Sequence, residues 1–210
     1  MKKSKVMLFG AMALTAGLAL AACGSSQSSN TDKTYSYIFV NNPDTLDYIT
    51  STRDSTSSIT TNLIDGLLEN DQYGNLIPSM AESWTVSKDG LTYTYKIRQG
   101  AKWYTSEGEE YADVTAHDFV TGLKYAADKK AENLYLVQDS IKGLADYVEG
   151  KSSDFGTVGV KAVDDYTLQY TLNQPETYWN SKTTASILSP VNEAFLKSKG
   201  DDFGSVTPSS

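Results

Sequence analysis

A chain of 210 residues with 26 acidic and 18 basic side chains carries a formal charge of −8. That balance argues against nucleic acid or an anionic headgroup as the main partner, since both need a basic surface. The single cysteine excludes a disulfide within one copy of the chain.

The chain opens on Lys2, Lys3 and Lys5, followed by a run from Val6 to Ala22 that is apolar apart from Thr15 and a few glycines. Leu20-Ala21-Ala22-Cys23-Gly24 then places small residues and a thiol where a signal peptidase cuts. The alternatives are an ordinary secretory signal with a stray cysteine, or a transmembrane anchor, but the run is short for a span of about 20 apolar residues. The pattern resembles the lipobox of bacterial lipoproteins, which implies cleavage before Cys23 and acylation of its sulfur. Each buried CH₂ contributes about 0.8 kcal/mol, so the two chains of a diacylglyceryl group anchor firmly where one binds only marginally. Residues 1–22 are thus expected to be a signal peptide and Cys23 a lipid anchor on the outer face of the cell membrane, Gram-positive type. The leader holds three basic and no acidic residues, which leaves 188 residues with a formal charge of −11.

Ser25 to Thr34 has no apolar residue, and residues 23–34 read as a disordered tether. Tyr35 to Val40 reads as a first strand, stopped by the turn cluster Asn41-Asn42-Pro43-Asp44. The Ser/Thr-rich stretch Thr50 to Ser58 offers N-caps for a helix whose apolar face would be Ile59, Leu63, Ile64, Leu67 and Leu68. Asp71 to Asn75, with Gly74, is a turn. Leu91, Tyr93, Tyr95 and Ile97 alternate with Thr92, Thr94 and Lys96, and Asp89-Gly90 joins this run to Trp84-Thr85-Val86 as a hairpin.

Thr115-x-x-Asp118 is a capping-box pair that opens a helix through Phe119, Val120, Leu123 and Ala127. A further helix is expected from Asp139 to Glu149, with Ile141, Leu144, Ala145 and Val148 inward and Gly150 as its stop. Val158 to Val163 and Tyr166 to Leu172 read as paired strands around Asp164-Asp165. A last helix, Asn192 to Lys199, closes at Gly200. Strands and helices mix without regular βαβ alternation.

No catalytic constellation emerges. His117 is the only histidine, near a helix start where an exposed or capping role suits it, so no His-x-x-x-His pair exists. There is neither a nucleophile elbow nor a Gly-rich phosphate loop. Glu107, Glu109, Glu110 and Asp113 lack the spacing of a hand-type calcium loop and read as a solvated loop before a helix. Neither an enzymatic activity nor a cofactor is expected.

An ordered series of blocks carries more. Pro43-Asp44-Thr45-Leu46-Asp47 is followed by Leu63-Ile64-Asp65-Gly66-Leu67-Leu68 and Ile77-Pro78-Ser79-Met80-Ala81-Glu82-Ser83-Trp84. Then come Asp89-Gly90-Leu91-Thr92-Tyr93, Lys96-Ile97-Arg98-Gln99-Gly100-Ala101-Lys102-Trp103 and Val114-Thr115-Ala116-His117-Asp118-Phe119-Val120. Val163 to Leu168 and Leu188-Ser189-Pro190-Val191 continue it. Each block has an ordinary structural reason: Pro78 ends a strand, Trp84 and Trp103 anchor a core, Gly66 permits close packing and Asp118 caps. In order and together, from Tyr35 to Ser210, they resemble the extracellular oligopeptide-binding proteins of ABC importers, solute-binding protein family 5, of the Ami/Ali lipoprotein type.

The resemblance implies an α/β, periplasmic-binding-protein-like (type II) two-lobed clamp, of which residues 35–210 hold only most of the first lobe. Family members run to several hundred residues, so the chain is expected to be an N-terminal fragment or a truncated product with exposed apolar edges and marginal stability. Peptide is held extended, mostly through its backbone, by strand-like pairing. Carried onto this chain, Thr52, Arg53, Asp54 and Ser55 would approach the peptide backbone, and Tyr135 is a looser candidate; the first four also read as a solvated loop before a helix. The implied partners are an oligopeptide, a membrane permease and the membrane itself through the lipid, with the receptor monomeric. Rival readings are another solute on the same scaffold (nickel, haem or a sugar), or a truncated surface lipoprotein acting as an adhesin.

Overall fold

The computed structural model describes Ile38 and residues 41–206. Contacts divide the chain into Met1–Ile38 and Phe39–Ser210, and the fold reported below is that of the second unit. The expected signal peptide, Cys23, the tether and, apart from Ile38, the strand Tyr35–Val40 lie outside the described residues.

The frame is a four-stranded antiparallel sheet built from two hairpins far apart in sequence. The first joins β3 (Ala81–Val86) to β4 (Thr92–Ile97), the second β7 (Val160–Asp164) to β8 (Thr167–Thr171), and the strand order is β3-β4-β8-β7. Gly90 takes φ +72° at the first turn, the left-handed conformation the Asp-Gly pair predicts. β4 pairs with β8 in the register Tyr93↔Tyr170 and Tyr95↔Leu168. The two-residue period then puts Tyr93, Tyr95 and Ile97 of β4 on one face with Leu168 and Tyr170 of β8, all buried. Trp179, on α4 (Trp179–Lys182), is fully buried against that face, its ring 5.3 Å from Tyr170 and 6.2 Å from Tyr93. These rings meet tilted or edge-on, the arrangement their quadrupoles favour. The opposite face is polar: Gln169 Nε2 donates to Thr94 Oγ1 at 3.2 Å and Lys96 Nζ to Thr167 Oγ1 at 2.8 Å.

Between the hairpins runs α2 (Ala116–Asp128), which covers β7 and β8. Phe119, Leu123, Ala126 and Ala127 form its buried stripe, at the spacing of one helical face. Its start is the expected capping box: the Thr115 N–H donates to Asp118 Oδ2 at 2.8 Å. Trp103 Nε1 donates to the same oxygen at 3.2 Å. Burial pushes the Asp118 carboxyl up from its ordinary pKa, and these donors partly offset the shift. His117 is exposed beside it, 3.4 Å from Asp165 Oδ1.

Two further hairpins were not foreseen as such. β1 (Leu68–Asn70) pairs with β2 (Leu76–Pro78) across the Gly74 turn, and Asp71 Oδ1 accepts from the N–H groups of Tyr73 and Asn75. β5 (Lys102–Tyr104) pairs with β6 (Glu110–Asp113), so part of the acidic stretch expected to be a loop is a strand. Lys102 Nζ lies 2.6 Å from Asp113 and 3.7 Å from Glu110, a pairing that neutralises part of the acidic run. Among the described residues no cluster of three or more His, Cys, Asp or Glu could hold a metal ion. No described helix is long and apolar enough to cross a membrane.

Two expected helices are corrected. The helix expected over Ile59 to Leu68 is instead α1 (Asp54–Thr60), made from the hydroxyl-rich stretch itself. Its N-cap is Arg53 without a side-chain cap, and its hydroxyls bond backward along the helix, Thr60 to the Thr56 carbonyl at 3.1 Å and Thr61 to that of Ser57 at 2.7 Å. Leu67 and Leu68 are buried by entering the β1–β2 hairpin, while Leu63 is 70 % exposed. The helix expected over Asp139 to Glu149 shrinks to α3 (Leu144–Val148), because Gly143 takes φ +71° and Ile141 bridges to Leu172. Gly150 ends α3 at φ +77° as expected. The last helix is α5 (Glu193–Lys199), whose N-cap Asn192 accepts from the Phe195 N–H at 2.9 Å, with Gly200 at its end. Trp84 and Trp103 are only partly buried at the margin of the core, and Trp179 is its largest fully buried side chain.

Gly122, inside α2, is where the helix meets the segment that follows the Ser186–Leu188 turn. A Cβ there would sit 2.2 Å from the Ser189 carbonyl oxygen. In an exposed helix Gly→Ala stabilises by about 1 kcal/mol. Here the sign is expected to reverse, with Gly122→Ala destabilising by about 2 kcal/mol as the backbone is forced apart. Chemical denaturation of the two proteins checks it; a gain in stability would show that the close approach does not exist.

Candidate functional site

The segment from Asp44 to Thr56 is built around one buried carboxylate. Asp47 is 6 % exposed, and its Oδ1 accepts the backbone N–H groups of Ile49 (3.0 Å) and Thr50 (3.1 Å). Its Oδ2 accepts the Thr50 hydroxyl at 2.6 Å and the Tyr125 hydroxyl, reaching over from α2, at 2.8 Å. Four donors on one desolvated carboxylate satisfy it as burial requires. Tyr125 has its phenol pushed well above the ordinary value, first by burial and then by its bond to Asp47. Tyr48, next in the chain, donates to the Pro190 carbonyl at 2.7 Å, and burial, then the Asp47 charge, raises its phenol pKa.

The same segment is clamped from its other side. Leu46 N–H and Thr45 Oγ1 both donate to the Gly204 carbonyl, at 2.6 and 3.1 Å, and Thr45 bridges to Ser205. A Cβ on Gly204 would lie 2.2 Å from the Asp47 nitrogen, and φ is +77° there, so only glycine fits. Phe203 packs edge-on against Tyr125 at 5.3 Å and Tyr48 at 6.1 Å.

Above this base lie the four candidate ligand-facing residues. Thr52, Arg53 and Asp54 are exposed and Ser55 is half-buried. Arg53 Nε meets Asp44 Oδ2 at 3.0 Å with both side chains more than half exposed, a pairing worth little in stability. Thr52 Oγ1 donates to Glu132 Oε2 at 3.3 Å, which ties this loop to the turn Glu132–Leu136. That turn carries Tyr135, 74 % exposed. The backbone N–H groups of Thr52, Asp54 and Ser55 donate to no other described residue, whereas that of Arg53 reaches Ser51 Oγ at 3.3 Å. The start of α1 leaves such donors open because the first N–H groups of a helix have no partner within it. The loop therefore presents a short row of free donors on a fixed base.

Reading the sequence alone missed Asp47, Tyr125, Glu132 and Gly204 as parts of this site. Asp47 stands in the first block of the family-like series, but nothing in the sequence says that Tyr125 reaches it, 78 positions away. A cleft of about 340 Å³ opens between Tyr48, Thr60, Asp65, Asn70, Thr184 and Ser189.

Comparison with known proteins gives these features a context. The family model for bacterial extracellular solute-binding proteins, family 5 Middle, matches residues 75–209. The oligopeptide-binding protein AliB of Streptococcus pneumoniae is 65 % identical over 208 residues, covering 99 % of this chain and 32 % of AliB. The oligopeptide-binding protein AmiA of the same organism is 62 % identical over 209 residues, again covering 99 % of this chain and 32 % of the relative. A solved structure of Listeria monocytogenes OppA bound to peptide superposes with a TM-score of 0.69 at 34 % identity, over 77 % of this chain and 31 % of that one. The chain thus spans about a third of the length of the curated relatives it matches. With the blocks in order along the sequence and the fold shared with OppA, the chain belongs to the bacterial extracellular solute-binding proteins of family 5.

Proposed function

We propose that this chain is the N-terminal part of a lipid-anchored extracellular receptor that captures oligopeptides and hands them to a membrane permease of an ABC importer. The anchor is Cys23, the location is the outer face of the cell membrane, and the receptor acts as a monomer without cofactor and without breaking a bond. In the complete two-lobed protein, peptide draws the lobes together and shifts the population toward a closed state that the permease recognises. This part of the chain contributes the backbone donors of Thr52 to Ser55, which pair with an extended peptide, while Tyr135 lines the approach.

The observation that carries the reading is the row of unpaired N–H groups at Thr52, Asp54 and Ser55, held on a buried base in a chain 65 % identical to an oligopeptide-binding protein. Backbone pairing reads no side chains and so tolerates many sequences. The bond from Thr52 to Glu132 supports including Tyr135, since it joins the two segments that carry the candidate residues.

Asp54→Pro isolates the backbone donor. Asp54 is the first residue of α1, where proline is accepted, and Arg53 before it is already extended at φ −85°, ψ 135°, as a residue preceding proline must be. Peptide affinity, measured by calorimetric titration with a mixed oligopeptide library, is expected to fall about fivefold while thermal unfolding changes little. Unchanged affinity would remove this loop from the binding surface. Saturable binding of nickel, haem or a sugar in place of peptide would transfer the chain to another solute.

Cys23→Ser tests the anchor separately. The variant is expected to lose incorporation of labelled fatty acid and to move from the membrane fraction into the medium. Retention in the membrane fraction would point to another means of attachment.

A further inference from the structure

We infer that Tyr125 and Asp47 form a positioning latch that sets the conformation of the loop Thr52–Ser55, an assignment that rests on that loop being the peptide-facing surface. Neither side chain reaches the loop's exposed face. Asp47 is buried, and Tyr125 approaches it from α2, whose place is fixed by its packing over β7 and β8.

The order of bonds leads from the helix to the loop. Tyr125 OH donates to Asp47 Oδ2, and the carboxylate in turn fixes the N–H groups of Ile49 and Thr50 together with the Thr50 hydroxyl. The Asp47 carbonyl accepts the Ser51 N–H at 3.0 Å. Ser51 Oγ donates to Thr56 Oγ1 at 3.0 Å and receives the Arg53 N–H at 3.3 Å, and Thr56 Oγ1 donates to the Thr45 carbonyl at 2.8 Å. The bonds that shape residues 49 to 51 therefore start from Asp47, and the phenol of Tyr125 ties its carboxylate to α2. The Gly204 contact prevents Asp47 from backing away, since its backbone leaves no room for a Cβ. Removing the phenolic oxygen leaves the carboxylate with only the Ile49 and Thr50 donors of its own turn and breaks its bond to α2, so the turn is freed to open locally.

A latch differs from a core contact in where the structure loosens. Tyr125→Phe keeps the ring against Phe203 and removes only the oxygen. In the full chain, amide hydrogen exchange at Ile49, Thr50 and Ser51 is expected to quicken about tenfold, the scale of a lost bond to a charged group. The amides of Leu123 in α2 and Tyr95 in β4 are expected to keep the rates of the unmodified chain. Tyr95→Phe removes a comparable buried hydroxyl, the donor to Asn180 Oδ1 at 2.6 Å, and is expected to leave the Ile49–Ser51 amides no faster than the rest. Titration with the mixed oligopeptide library is expected to show about fivefold weaker binding for Tyr125→Phe and none of that loss for Tyr95→Phe. Two results would overturn the latch: unchanged exchange at Ile49–Ser51, or exchange that quickens evenly across the chain as global destabilisation produces. Local quickening in a chain that binds no peptide in either form would keep the latch and discard the peptide reading of the loop.

Discussion

β4 pairs with β8 at the centre of the sheet and joins its two hairpins into one frame. The two strands come from hairpins separated by α2 and its neighbouring turns, so joining them closes a long loop at an entropic cost. What offsets that cost is the apolar face the register creates, where Tyr93, Tyr95, Leu168 and Tyr170 meet Trp179 and α2. A slip of one residue would turn those tyrosines to the polar side and expose Thr94 and Gln169 to the core. Two of the buried phenols keep partners, Tyr93 donating to the Glu176 carbonyl at 2.8 Å and Tyr95 to Asn180. Glu176, buried in the same region, meets Lys182 Nζ at 2.9 Å, a pairing that compensates a charge otherwise costly there.

From that frame the candidate site follows by short steps. The sheet seats α2, and Tyr125 of α2 donates to Asp47 at 2.8 Å. The Asp47 carboxylate then folds residues 49–51 into a turn that delivers Thr52 to the start of α1. The exposed residues of the loop contribute little to stability, as the solvated Arg53–Asp44 pair illustrates. Burial and exposure thus fall in different layers: a satisfied buried carboxylate below, solvent-facing side chains above.

Much of the frame was legible because period and turn chemistry act locally. The alternation Leu91 to Ile97 with Asp89-Gly90, the strands around Asp164-Asp165, the Thr115–Asp118 capping pair and the Asn192 cap all stand where short-range rules put them. The misreadings came where tertiary pairing outweighed local pattern. Leu67 and Leu68 carry helical spacing relative to Leu63 and Ile64, yet Leu68 pairs with Pro78 of β2 and the Leu67 carbonyl accepts from the Ser79 and Ala81 N–H groups. Asp139 to Gly143 looks helical, but the bridge from Ile141 to Leu172 ties that stretch to the sheet and Gly143 turns away. The acidic stretch ending at Asp113 reads as solvated until Lys102, on the facing strand, meets its carboxylates.

Local pattern alone specifies the β3–β4 and β7–β8 hairpins, the cap of α2 and the ordered family blocks. Those features depend on neighbours within a few positions, or on the order of motifs along the chain. It takes the folded chain to bring Tyr125 to Asp47, to close Gly204 against the Asp47 backbone and to bond Thr52 to Glu132. Such contacts join residues far apart in the chain through burial and backbone approach, and neither leaves a periodic mark on the sequence that encodes it.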